Sequence, residues 1–337
     1  MASVVLGTIN RNAYVDKSKL TSRFFPSKVG GKPAWLDLRY ILEAEKMICT
    51  KCKIPLVFLC QLYAPIDEPG FQGQCFHRML FVFFCNDCIS DRTFLVLRSQ
   101  LSIKNDYYSD APPKVNDPEI TSESWDVKLC KICGCKATVE YENMYCSLYH
   151  KKFDISSEST DKKIVILPEY EINEDVDDGS SENDDDESSN NDESSDEYCE
   201  DTNNSIGTLH DIENIDEALL EMAYSGDKDD VYFEKFKNTI ASVPGQIIRY
   251  DRLGIPLWIC SKCIPQSNEI PPCSYCGSER QFEFQIMPQI LYYLKLPEIP
   301  AKESFNFGVL AIYTCPKSCN TNNKQYQEEF LWQQSAL

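Results

Sequence analysis

The residues of this chain best suited to chemistry are cysteines in close pairs, and the chemistry they suit is metal ligation. Cys49-x-x-Cys52 and Cys85-x-x-Cys88 form a first constellation. Each short spacing lets one turn aim two sulfurs at one point, and strand-like sequence between the pairs can fold back to surround a tetrahedral zinc with four thiolates. The competing reading is four free cysteines, which pack well as small hydrophobes. Cys130-x-x-Cys133 followed by Cys146-x-x-x-His150 supplies three thiolates and an imidazole, again a full tetrahedron. The competing reading there makes His150 an exposed side chain in a basic loop with Lys151 and Lys152. A third constellation offers six cysteines for four places: Cys260, Cys263, Cys273, Cys276, Cys315 and Cys319. Spacing alone favours Cys260, Cys263, Cys273 and Cys276 as a compact ribbon. An internal repeat, set out below, favours Cys273, Cys276, Cys315 and Cys319 instead. All three sets are full, with no position for a substrate or an activated water, so about three structural zinc ions are expected.

Other chemistry finds little support. Three histidines, no nucleophile beside a base and no paired carboxylates outside one acidic stretch argue against an enzyme. Lys28, Gly30, Gly31 and Lys32 hint at phosphate binding, but no Ser or Thr follows the lysine and Pro33 opposes a helix there.

The net charge of -20 is local in origin. Residues 171–201 hold sixteen carboxylates and no Lys or Arg, which leaves the remainder at -4. Such a segment repels nucleic acid and attracts basic proteins. The N-terminal sequence lacks the charged lead and apolar stretch of a signal peptide, and no apolar run approaches bilayer-spanning length. With 17 cysteines this points to a reducing compartment, where paired thiols hold metal more often than they form disulfides.

The elements that must position these ligands are mostly strands. Residues 56–63, 79–84, 94–97, 281–287 and 309–313 are short runs enriched in β-branched and aromatic residues. The expected fold is β-rich α+β, with two related zinc-stapled halves joined by a small zinc finger and a disordered acidic linker. Residues 1–110 form the first half, 125–152 the finger, 156–204 the linker and 231–337 the second half. Residues 208–225 carry Leu209, Ile212, Ile215, Leu219, Leu220 and Met222 at near-helical spacing and predict a short amphipathic helix.

The two halves repeat one order of features. Pro33, Ala34 and Trp35 precede the Cys49 and Cys52 pair, a run containing Gln61, a second apolar run, and the Cys85 and Cys88 pair. Pro256, Leu257 and Trp258 precede Cys273 and Cys276, a run containing Gln285, the run 309–313, and Cys315 and Cys319. Gln61 and Gln285 thus take equivalent places and are expected to support the core, with Trp35 and Trp258 as core anchors.

Several motifs carry a family resemblance. The stretch from Phe25 through Pro26, Gly30, Gly31 and Pro33 to Trp35 and Leu36 resembles the N-terminal signature of the programmed cell death protein 2 family. Gln61-Leu62-Tyr63-Ala64-Pro65, Phe76-His77-Arg78, Cys273-Ser274-Tyr275-Cys276-Gly277, the run from Phe282 to Gln289 and Tyr326-Gln327-Glu328-Glu329-Phe330 follow in the family's order. The finger resembles a truncated MYND type that lacks the later ligands of a second site. The resemblance implies a cytoplasmic and partly nuclear, non-enzymatic chaperone. Its client would be one basic small-subunit ribosomal protein, the relative of bacterial S-five, and its role would lie in small ribosomal subunit biogenesis and rRNA processing. No nucleic acid or membrane partner is expected, and the chain is expected to be a monomer apart from its client. The alternative is a zinc-ribbon protein that binds nucleic acid or the ribosome surface, using Lys17, Lys19, Arg23, Lys28 and Lys32 as a basic patch. Ser189 and Ser194, among carboxylates, suit an acid-directed kinase.

Overall fold

Short apolar runs between cysteine pairs become the strands of one antiparallel sheet. The computed structural model describes residues 4–10, 16–71, 73–88, 93–114, 117, 120–155, 165–177, 230–294, 296, 305–320 and 326–335. The expected helix over 208–225 lies outside them, as do Ser189 and Ser194. The strands are β1 (Val4–Thr8), β2 (Lys28–Val29), β3 (Val57–Tyr63), β4 (His77–Phe84), β5 (Phe94–Leu101), β6 (Tyr170–Glu171), β7 (Asn173–Asp177), β8 (Gln246–Tyr250), β9 (Gln281–Ile286), β10 (Val309–Thr314) and β11 (Tyr326–Gln334). Helices are few: α1 (Leu148–Ile155), α2 (Val231–Ile240) and the single turn α3 (Leu291–Leu294) are the α-helices among the described residues.

The sheet order is β6-β2-β3-β4-β5-β11-β10-β9-β8-β1-β7. Its middle is palindromic: β2-β3-β4-β5 meets β11-β10-β9-β8, so the last strands of the two repeats pair with each other, Gln327 opposite Arg98. The sequence pattern predicts two related halves and leaves their packing open; the two halves share one sheet. The first strand of the chain pairs with β8 of the second repeat, and the finger packs beside the first repeat, with Trp35 Nε1 donating to the Gly134 carbonyl at 2.7 Å.

Residues on β4 are buried throughout because the strand has a core on each face. Leu80, Val82 and Phe84 point to an interior shared with Val96, Phe284, Ile286, Leu310 and Ile312. Met79, Phe81 and Phe83 face Trp35, Met47 and Leu97 beneath the covering loops. β10 is divided likewise, with Val309, Ala311 and Tyr313 packed against Phe236, Trp258 and Phe282. A strand buried on two faces reads as a continuous apolar run, which is why these strands are legible without alternation.

A correction concerns the acidic linker. Within 156–204, residues 165–177 are ordered and close the sheet into a near-barrel. Gly31 N donates to Leu167 O at 3.0 Å, Lys28 pairs with Glu169 at 2.6 Å, β6 adds to β2, and β7 adds to β1. Gly30, at φ 66°, lets this strap approach, since a Cβ there would stand 2.0 Å from Pro168 O. Glu, Asn and Asp disfavour strands intrinsically, but two unpaired sheet edges provide backbone partners that outweigh that preference.

At the start of β4 His77 is sandwiched by Phe25, at 4.0 Å between ring centroids, with Phe76 and Tyr108 edge-on. Its Nδ1 meets Tyr63 Oη at 3.1 Å, and its Nε2 is buried with no hydrogen-bond partner. Burial lowers its pKa to about 4 from 6.5. The unfolded chain therefore takes up this proton first, so the stability His77 confers is full above pH 6.5 and drains away as pH falls toward 4. His77→Phe should flatten this slope, and the loss in the native protein at pH 4 should exceed that of the variant by on the order of 2 kcal/mol. Urea titrations of both proteins across this range would read the difference, and parallel slopes would refute it.

Candidate metal centres

Three turns of one design present the first cysteines of each cluster. In each, the amide of the first cysteine donates to the carbonyl five residues on: Cys49 to Ile54, Cys130 to Cys135 and Cys273 to Ser278, at 2.7–2.8 Å. The amide four residues on donates back to that cysteine's carbonyl, from Lys53, Gly134 and Gly277. Those three residues are left-handed, with φ of 62°, 72° and 72°. The turn holds both sulfurs on its inner side, and it was legible at the two glycines but not at Lys53. A side chain in this conformation costs about 1 kcal/mol relative to glycine. Lys53→Gly should therefore raise the melting temperature by about 2 °C, while Gly277→Ala, in open space, should lower it by a similar amount. Calorimetry on the two variants checks both signs.

The second pair of each cluster arrives by strand geometry. Cys49 and Cys52 precede β3, and Cys85 and Cys88 follow β4; because the strands are antiparallel, with Val57 opposite Phe84, these two points share one end of the sheet. Cys273 and Cys276 precede β9, Cys315 and Cys319 follow β10, and Gln281 lies opposite Thr314. A metal at either place clamps the mouth of a hairpin and removes the loop-closure freedom of the connection behind it. In the finger, Cys146 and His150 flank the start of α1, where the Ser147 hydroxyl accepts the His150 amide at 3.2 Å in the manner of an N-cap.

The donor atoms of Cys49, Cys52, Cys85 and Cys88, of Cys130, Cys133, Cys146 and His150, and of Cys273, Cys276, Cys315 and Cys319 each lie within 4.8 Å of one another. Sulfur pairs stand 3.5–3.7 Å apart: Cys49 with Cys88, Cys52 with Cys85, Cys133 with Cys146, Cys273 with Cys319, and Cys276 with Cys315. Two thiolates about 2.3 Å from one tetrahedral zinc are about 3.8 Å apart, so the spacing fits. His150 Nδ1 lies 3.1 Å from the Cys146 sulfur and 3.5 Å from that of Cys130. All three clusters are positioned to hold a metal ion, and thiolate-rich tetrahedral sets suit zinc.

The compact ribbon is not formed. Cys260 and Cys263 stand outside the third cluster, and their carbonyls accept from Gln334 Nε2 at 3.0 Å and Trp332 Nε1 at 2.8 Å. Spacing misled because nearness along the chain says nothing of where β10 ends. Hydrogen bonds hold three of the ligand thiols, Cys49, Cys130 and Cys276, below the ordinary thiol range, while burial pushes Cys85, Cys88, Cys315 and Cys319 up. Burial pushes Cys49 up, but hydrogen bonds from Thr93 and from the Cys52 and Lys51 amides bring it down to about 6. The Ser278 hydroxyl and amide lower Cys276 to about 6 against a smaller effect of burial.

Sequence reasoning did not find the polar joint between the repeats. Arg78 makes two hydrogen bonds to Glu283, at 2.5 and 2.8 Å, and both side chains are wholly buried. Burial pushes Glu283 up, yet Arg78 outweighs it and, with the Thr314 and Tyr250 hydroxyls, holds the carboxyl below its usual range. Arg98 donates to Glu329, Gln100 and Gln327. Ser318, beside the ligand Cys319, links the groups: it accepts from Arg78 Nε at 3.0 Å and its carbonyl accepts from Gln100 Nε2 at 3.0 Å. The third cluster is thereby wired to the joint.

The equivalence of Gln61 and Gln285 is explicit in their bonds. Gln61 Oε1 accepts the amide of Ala34 at 2.8 Å, and Gln285 Oε1 that of Leu257 at 2.6 Å, the corresponding residues ahead of Trp35 and Trp258. Each glutamine fixes the segment that covers its repeat's outer face.

No solved structure matches the chain. Family models for the N-terminal and C-terminal domains of programmed cell death protein 2 match residues 3–115 and 230–335, which flank the finger and the strap. Among curated relatives, Programmed cell death protein 2 of Rattus norvegicus is 36% identical, covering 100% of this chain and 99% of the relative. The Bos taurus protein of that name is 37% identical over 94% of this chain and 92% of its own. Programmed cell death protein 2-like of Homo sapiens is 28% identical over 90% and 88%. With both domains matched in order and the identity running the length of the chain, this protein belongs to the programmed cell death protein 2 family.

Proposed function

We propose that the chain escorts one basic small-subunit ribosomal protein, the relative of bacterial S-five, from the cytoplasm toward small-subunit assembly, with a nuclear fraction. The observation that carries this reading is the strap. Glu171, Glu174 and Asp175 are exposed on strands built into the barrel, directly ahead of the acidic run that continues to residue 201. Carboxylates on a fixed edge, followed by more in sequence, offer a basic client a substitute for RNA phosphate and speed encounter. Each metal cluster already offers four protein donors, which suits a structural role for zinc.

The basic patch of the nucleic-acid alternative is reduced from five residues to three. Arg23 and Lys28 are buried, Lys28 is paired with Glu169, and Lys32 donates to the Lys131 carbonyl at 2.6 Å. Of the five, Lys17, Lys19 and Lys32 are exposed. Among the described residues no helix is long and apolar enough to cross a membrane.

The test is coexpression of the chain with that ribosomal protein. Recovery of a soluble complex that added RNA does not displace supports escort. A client that stays insoluble, or a complex dissolved by ribonuclease, defeats it.

A further inference from the structure

The strap joins the two edges of the sheet through β6 on β2 and β7 on β1 and leaves one stretch of seam between them. Ile172 N donates to Ser27 O at 3.0 Å, but beyond that bond the strap parts from β2, and the free edge of β7 has no backbone partner among the described residues. Across the gap lies the end of β3 with Ala64 and Pro65. Between them is a cavity of 130 Å³, walled by Leu62, Ala64, Ile172 and Ile248 and edged by Glu174. An apolar cavity of about 150 Å³ holds a benzene ring, so this one has room for an aliphatic chain.

Glu174 gives the cavity its charge. Side chains alternate along a strand, so Ile172, Glu174 and Val176 share one side of the strap while Asn173, Asp175 and Asp177 share the other. Glu174 is exposed and makes no ion pair with any described residue, whereas Asp177 on the opposite side has Arg249 at 3.7 Å. Charge on an exposed edge strand also serves to repel other edges. That role needs no cavity behind the carboxylate.

We infer that this seam is a binding site for an extended basic segment of a protein partner. The segment adds beside β7 and places one arginine or lysine stem in the cavity, with its cation on Glu174. An open strand edge supplies main-chain hydrogen bonds, and a pocket for an alternate side chain supplies the selection. The apolar wall accepts the methylene stem while the carboxylate takes the head group, the division that long cationic side chains make. The inference deepens the escort reading by locating where a basic client would be gripped.

The probe is a short labelled peptide of alternating threonine and arginine, measured by fluorescence anisotropy on the full chain; a threonine and glutamate peptide serves as control. Both Glu174→Lys and Asp175→Lys reverse one exposed charge on the same strand, so neither threatens the core. The expected result is binding of the arginine peptide alone, weakened at least about 10-fold by Glu174→Lys and less than about 3-fold by Asp175→Lys. No binding, or equal loss in both variants, overturns the site and leaves only a diffuse charge effect. The same variants are then tried against the ribosomal protein. Peptide binding that depends on Glu174 without client binding keeps the seam and removes the escort reading; client binding indifferent to Glu174→Lys keeps the escort and moves its grip elsewhere.

Discussion

Cys315→Ser is expected to reduce bound zinc from about three ions per chain to about two and to strip most of the protein's stability. Three remaining donors hold zinc far more weakly than four, and structural zinc supplies free energy comparable to the whole stability of a domain, so a loss of about 5 kcal/mol or more is anticipated. The damage should not stay local. Cys315 directly follows β10, its amide donates to Glu329 Oε2 at 3.1 Å, and the turn it anchors presents Ser318 to Arg78 and Gln100. Freeing the turn loosens the joint where β5 meets β11. Cys263→Ser is the matched control, because Cys263 lies outside the cluster. Native mass spectrometry of both proteins gives the ion count and thermal melts give the stability. Zinc lost with Cys263→Ser and kept with Cys315→Ser would restore the compact ribbon.

The next largest effect is expected at the buried ion pair. Removing one partner, as in Arg78→Met or Glu283→Leu, strands a charge in the interior and should cost about 3–5 kcal/mol. Replacing both removes the stranded charge, so the double variant should be at least about 2 kcal/mol better than the sum of the singles. It should not return to the native level, because Tyr250, at 2.9 Å from Glu283, and Thr314 then lack their acceptor. Urea unfolding followed by tryptophan emission would report all four proteins; simple additivity would mean the pair is not coupled in the fold.

What could be read from the sequence follows from which interactions are local. A C-x-x-C turn is made by neighbours, so its residues declare themselves, and Gly134 and Gly277 mark the left-handed corner that Lys53 conceals. The order of cysteines, glutamine and tryptophan exposed the repeat because both copies need the same cover over the same strands. The choice among six C-terminal cysteines depended on where two strands end relative to each other, which only the repeat could suggest. Pairing of β5 with β11 joins positions more than two hundred residues apart, and neither strand names its partner. The Arg78 and Glu283 pair escaped notice because a charge in a strand run reads as solvent-facing until both faces are known to be covered. The strap was missed for a related reason: its composition speaks for solvation, and the edges of β1 and β2 decide otherwise.

These features fit one account of the fold and its use. Two hairpins that end at cysteine clusters positioned to hold metal build a near-barrel with a docked finger beside it, a polar joint fuses its repeats, and an acidic strap joins its edges. We propose that such a surface favours basic protein clients over RNA. The most direct test is recovery of the tagged full chain from its own cells after ribonuclease treatment, with quantitative mass spectrometry of everything that accompanies it. The account predicts one small-subunit ribosomal protein enriched far above all others; even recovery of ribosomal proteins, or recovery that ribonuclease abolishes, would contradict it.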